Sequence, residues 1–148
     1  MPHFGLMDEK ALGPEAGPLQ RARLHIRGGK RRLRQRKISA GIVTLSDALS
    51  SAFEWYIASP EHIERLIAYE GEDLRDDRTA YMALVRSGAL DGRFDWDAFD
   101  RLIEKALKED LIDFDYGPVL GDIESVMLQL GVMPFDEKKL PPEDPSTF

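Results

Sequence analysis

A chain of 148 residues with net charge −7, 32% charged residues and no cysteine is sized for one domain. It has no disulfides, no thiolate metal ligands and no cysteine nucleophile. No stretch approaches the roughly 18 apolar residues of a membrane span, and residues 1–13 lack the pattern of a secretory signal, so a soluble cytoplasmic protein is expected.

Charge is divided along the chain. Residues 1–40 carry ten Lys/Arg against three acids, a net of +7, and the remainder carries ten bases against 24 acids, a net of −14. A basic stretch of this density needs a counterpart in the same fold, a second copy or a polyanion.

Residues 1–17 contain Pro2, Gly5, Gly13, Pro14 and Gly17 without apolar periodicity, which reads as a flexible arm. From Pro18 a helix is expected over 18–36. Its apolar face is Leu19, Ala22, Ile26, Gly29 and Leu33, with arginines on the other side. Gly28 and Gly29 in its middle cost about 1–2 kcal/mol relative to alanines. Close approach of a second helix at Gly29 is one reason to accept that cost, and a hinge is the other. After a short turn, Ile38, Ile42, Leu45, Leu49, Phe53 and Tyr56 hold a helical stripe over 38–58, with Ala40, Gly41 and Ala48 as small contact positions. Two helices joined by a short turn make an antiparallel hairpin.

Ser59, Pro60 and Glu61 signal a helix start, and a short helix closed by Gly71 is expected from Ile63, Leu66 and Ile67. A further helix runs from about Asp73 to Ser87, closed by Gly88. Asp95 caps a helix carrying Trp96, Phe99, Ile103, Ala106 and Leu107. Residues 109–117 read as an acidic loop, and Pro118 opens a last helix stopped by Gly131. From Val132 on, Pro134, Pro141, Pro142 and Pro145 among charges indicate a flexible or surface-wrapping tail over 132–148. The expected fold is all-α: a compact single domain over 18–131 with about six helices around the N-terminal hairpin.

Three patterns invite a chemical reading. Gly28-Gly29-Lys30 lacks the remaining parts of a phosphate loop, because Leu24 stands at the first glycine position and Arg31 where Ser or Thr would reach magnesium. Leu90–Phe99 resembles the second half of an EF-hand calcium loop, with Asp91 at the fifth position, Gly92 at the turn and Asp95 at the ninth. Ser87, Ala89 and Ala98 then occupy positions where calcium needs oxygen ligands, so a turn and an Asp-capped helix explain these residues. The acidic runs 70–78 and 109–115 read as solvated helix starts. A divalent-metal-dependent enzyme built on them is the lowest-ranked alternative. His3, His25 and His62 are too scattered for a metal site, and neither metal nor cofactor is expected.

The hairpin Ala22–Ile57, joined through Arg32-Leu33-Arg34-Gln35-Arg36-Lys37-Ile38-Ser39-Ala40-Gly41-Ile42, resembles the first hairpin of HEPN or tetratricopeptide-type helical domains over less than a third of the chain. The arginine–histidine signature of ribonuclease-active HEPN proteins has no counterpart, since no histidine follows His62. No tetratricopeptide repeat is present either, because nothing repeats.

The favoured function is a non-enzymatic protein–protein interaction or self-associating module, its partner another protein or a second copy in a homodimer. Arg27, Arg31, Arg34 and Arg36 are the charge-pairing candidates, with Trp55 and Tyr56 as aromatic anchors. The alternative is a nucleic-acid-associated factor using the basic helix 21–37. Net charge favours a protein partner, since a body of −14 repels a long polyanion.

Overall fold

Ile38, Ile42, Leu45, Leu49 and Ala52 recur at helical spacing and lose essentially all contact with solvent. Burying such a stripe is what stabilises a helix in a protein. The computed structural model describes residues 9–147, and its α-helices are α1 (Glu9–Arg34), α2 (Ile38–Ala58), α3 (Pro60–Ile63), α4 (Asp77–Arg86), α5 (Trp96–Lys108) and α6 (Gly117–Leu130). No strand occurs among the described residues. The central element is α2, which touches every other α-helix and packs most extensively on α1. The all-α fold around an antiparallel hairpin is as expected.

The hairpin closes on its glycines. A Cβ at Gly29 would lie 2.7 Å from Leu45 Cγ and 3.3 Å from the Gly41 carbonyl oxygen. A Cβ at Gly41 would lie 2.7 Å from Leu33 Cδ2 and 3.1 Å from the Gly29 carbonyl oxygen. Each helix thus contributes a glycine notch and, four residues on, the leucine that fills the other's notch. Of the two explanations for Gly29, close approach is the one realised.

The first helix begins before Pro18. The first eight residues of the expected arm lie outside the described residues. From Glu9 the backbone is helical except at Gly13, whose φ of 89° and ψ of 179° kink it. Pro14 then suits the first helical position with its fixed φ, and Gly17 and Pro18 are buried.

The expected helices meeting near residues 71–73 are both shortened. α3 ends at Ile63 and α4 begins only at Asp77, capped by the Asp76 carboxylate accepting from the Thr79 N–H at 3.0 Å. Ile63, Ile67 and Tyr69 remain exposed, so a helix there would gain little from packing. Arg86 holds this loop instead. It pairs with Glu72 at 2.8 and 3.0 Å, donates to the Ile67 carbonyl at 2.8 Å and lies 3.7 Å from the Tyr69 ring centroid.

Between α2, α4 and α5 the core is aromatic. Phe53 meets the rings of Tyr81 and Trp96 at 6.4 and 5.7 Å, and the Tyr81 hydroxyl donates to the Phe94 carbonyl at 2.6 Å. Phe99 closes the group against Phe94 at 5.3 Å.

Beside this core Asp77 is half-buried at the start of α4. Burial raises its carboxyl above the usual aspartate range, Asp76, Asp100 and Asp47 add to the rise, and a hydrogen bond with Ser50 opposes it. The folded chain therefore holds this proton more tightly than the unfolded one. The contribution to stability is full below the ordinary aspartate range and is lost as pH rises through that range to the raised value. Asp77→Asn is accordingly expected to raise the urea midpoint at about pH 7 and to leave it unchanged near pH 3.

Candidate functional site

The nine cations from Arg21 to Lys37 divide into two groups along α1 and the turn that follows it. Those of the first group meet partners in their own chain. Arg21 pairs with Glu54 and donates to Ser51 Oγ at 2.8 Å. Arg23 donates to the Val132 carbonyl at 3.0 Å and sits 5.5 Å from the Phe135 ring centroid. Arg27 donates to the Pro141 carbonyl at 2.6 Å, and Lys30 reaches Glu124 at 3.2 Å. Arg31 Nε lies 3.2 Å from both Glu143 carboxylate oxygens, and Arg27 Nε lies 3.8 Å from the nearer one. Val132, Phe135, Pro141 and Glu143 of the stretch after Gly131 thus lie along α1.

The second group sits at the corner where α1 turns into α2. Arg34, Arg36 and Lys37 are exposed and Arg32 is half-buried. Their side chains have no hydrogen bond or ion pair to any described residue. Burial, and then the charge of Arg31, pull Arg32 below the usual guanidinium value, while Glu143 pulls it up. Three arginines in the last turn complement the α1 dipole.

The backbone at this corner is under strain. Arg36 N–H bonds to the Leu33 carbonyl and Lys37 N–H to the Arg32 carbonyl, which is the Schellman ending that calls for a left-handed residue between. α4 ends the same way with Gly88 at φ 80°, and α6 with Gly131 at φ 88°. In α1 the position is filled by Arg36 at φ 63°, where a side chain costs about 1–2 kcal/mol.

An open cleft of about 560 Å³ adjoins the corner, lined by Arg36, Lys37, Ser39, Asp110, Ile112 and Asp113 among others. Ser39 ties its far wall to α2, donating to the Glu109 carbonyl at 2.8 Å and accepting from the Leu111 N–H at 2.9 Å. Asp113, at φ 58°, is the other non-glycine residue of positive φ among those described. Both strained residues therefore face one cleft. Ile112 stands beside them with 81% of its surface exposed.

The candidate residues do not form one site. Arg27 and Arg31 lie under the stretch after Gly131, whereas Arg34 and Arg36 are open at the corner. Trp55 and Tyr56 lie near the opposite end of α2, about 25 Å from the corner by helical rise. They are half-buried against the core. The Tyr56 ring stacks on His62 at 3.7 Å, and His62 Nδ1 lies 2.9 Å from the Tyr56 carbonyl oxygen. The corner also includes Arg32 and Lys37, which belong to the basic run but not to the charge-pairing candidates. The spacing Arg32, Arg34, Arg36, Lys37 at a helix end was the signal available for them.

The other suspected sites have structural uses. Asp91 accepts the N–H of Arg93 in a turn, and Asp95 caps α5 through the Ala98 N–H, each at 3.0 Å. Lys30 of the glycine pair is paired with Glu124. No described helix is long and apolar enough to cross a membrane. No protein family, curated protein or solved structure matches the chain.

Proposed function

We propose that this chain is a helical interaction module whose corner of Arg32, Arg34, Arg36 and Lys37 docks an acidic protein surface. The observation that carries the reading is the coincidence of strain and unspent charge. An arginine occupies a left-handed position that two other helices of the same chain give to glycine, and strain of this kind collects at working sites. The composition of the cleft favours protein over nucleic acid. Asp110 and Asp113 would repel phosphates, no aromatic ring among the described residues lines the cleft for base stacking, and Ile112 offers an aliphatic contact. A second copy is an apt partner, because the chain after residue 40 carries −14.

The reading makes stability and binding move in opposite directions at one residue. Arg36→Gly is expected to raise stability by roughly 0.5–1 kcal/mol in urea unfolding, since it relieves the left-handed strain. The same change weakens binding of a labelled glutamate–leucine peptide, and Arg34→Glu with Arg36→Glu weakens it at least tenfold. Light scattering of the wild-type chain at micromolar concentration tests the second copy, which requires a mass well above 16.8 kDa. Peptide affinity untouched by the double substitution would remove the corner from the account. An oligonucleotide bound in its place, with affinity falling steeply in salt, would replace the protein partner by nucleic acid.

A further inference from the structure

Arg23, Arg27 and Arg31 recur every four residues and form a ladder along one side of α1. The stretch after Gly131 follows this ladder in the same direction. Val132 and Phe135 lie at Arg23, Pro141 at Arg27 and Glu143 at Arg27 and Arg31. Val132 is fully buried in the main core and fixes the start of this strap. Beyond Met133, the hydrogen bonds from the body to the strap among the described residues come from Arg27 and Arg31. The strap's own backbone bonds there are local, from Lys139 to Asp136 and from Leu140 to Glu137.

The acceptors on this ladder define what it recognises. Two are backbone carbonyls, which any extended chain offers. The other two are an aromatic ring near one end and a carboxylate at the other, and these supply specificity. The Glu143 carboxylate is well enclosed, with its side chain 15% exposed and that of Arg31 10% exposed. Pro141 and Pro142 hold the chain extended at small entropic cost.

We propose that this face of α1 is a peptide-docking groove, and that an acidic segment of a partner, seated over Arg27 and Arg31 as Pro141–Glu143 is, displaces the chain's own strap from it. The assignment rests on charge complementarity with an occupant already seated, and it uses residues separate from the corner. Tethering gives the strap a high local concentration, so the intact chain resists a competitor until the strap is loosened.

The test uses full-length protein and a labelled synthetic peptide of residues 132–147, read by fluorescence anisotropy. Glu143→Lys sets a cation against Arg27 and Arg31 and frees the groove. The peptide is expected to bind this variant at least tenfold more tightly than the wild type. Glu143→Gln gives a smaller gain, and circular dichroism verifies that both variants keep their helices. Adding Arg31→Ala to Glu143→Lys is expected to abolish the gain. Equal affinity for the wild type and Glu143→Lys, or a gain that survives Arg31→Ala, would overturn the proposal. A wild-type dimer that persists with Arg34→Glu and Arg36→Glu but dissolves on adding the peptide would mark strap exchange between copies, and would overturn assignment to a separate partner.

Discussion

Gly41→Ala lowers stability by about 1–3 kcal/mol in urea unfolding, although in an open helix the same change adds about 1 kcal/mol. The reversal follows from contact. The new Cβ would meet Leu33 at 2.7 and 2.9 Å and the Gly29 carbonyl oxygen at 3.1 Å. Leu33 is fully buried, so it gives way only by repacking, and the carbonyl belongs to the opposing helix backbone. Gly29→Ala has the same sign for the same reason, through Leu45 and the Gly41 carbonyl. The two changes act on one contact, so their combined cost departs from the sum, as neighbouring sites do. A gain in stability from either alanine would mean that the helices stand further apart than described.

Phe53→Ala is expected to lower stability by about 3–5 kcal/mol. Its ring is fully buried and meets the rings of both Tyr81 of α4 and Trp96 of α5. Deleting it leaves a cavity walled by rings, whose close packing lets them relax only partly. Against a typical total of about 5–15 kcal/mol for a domain, such a loss is a large share. Phe53→Leu, which keeps most of the volume, is expected to cost less than half as much. Chemical denaturation of the two variants separates a specific ring cluster from a merely apolar filling, for which the two costs would be similar.

How far the sequence spoke depended on where the stabilising contacts lie. α2 was legible at both ends, because its stripe runs unbroken from Ile38 and its burial is nearly complete. α5 and α6 were marked by Asp95 and Gly131, whose local hydrogen bonds form as their residue types imply. The loop over residues 64–76 was misread because Ile63, Leu66 and Ile67 hold a helical spacing, yet of the three only Leu66 packs against the core. Its order comes from Arg86, ten or more residues away. Pro18 looks like a helix start because proline suits a first turn, but Pro14, four residues earlier, already begins that helix after the kink at Gly13.

The candidate surface was legible as charge and not as geometry. The run from Arg21 to Lys37 announces a basic helix, but it does not say which of its cations are held within the chain. Adjacent residues on a helix point about 100° apart. Here that turn sends the Arg31 guanidinium to Glu143, 112 residues on, and leaves its neighbour Arg32 without a hydrogen bond to any described residue. A composition with 27 acids does not say which one is the partner. The left-handed turn at Arg36 was similarly silent, because glycine is the usual mark of that position and it is absent.

The division of the basic helix is tested most directly by hydrogen exchange at the arginine Nε–H groups, resolved by nuclear magnetic resonance. Arg21, Arg23 and Arg31 donate Nε–H to Ser51, Val132 and Glu143, and their protons are expected to exchange at least tenfold more slowly than those of Arg34 and Arg36. Uniform exchange at the rate of a free guanidinium along the whole run would contradict the account, since the inner arginines would then be as open as the corner.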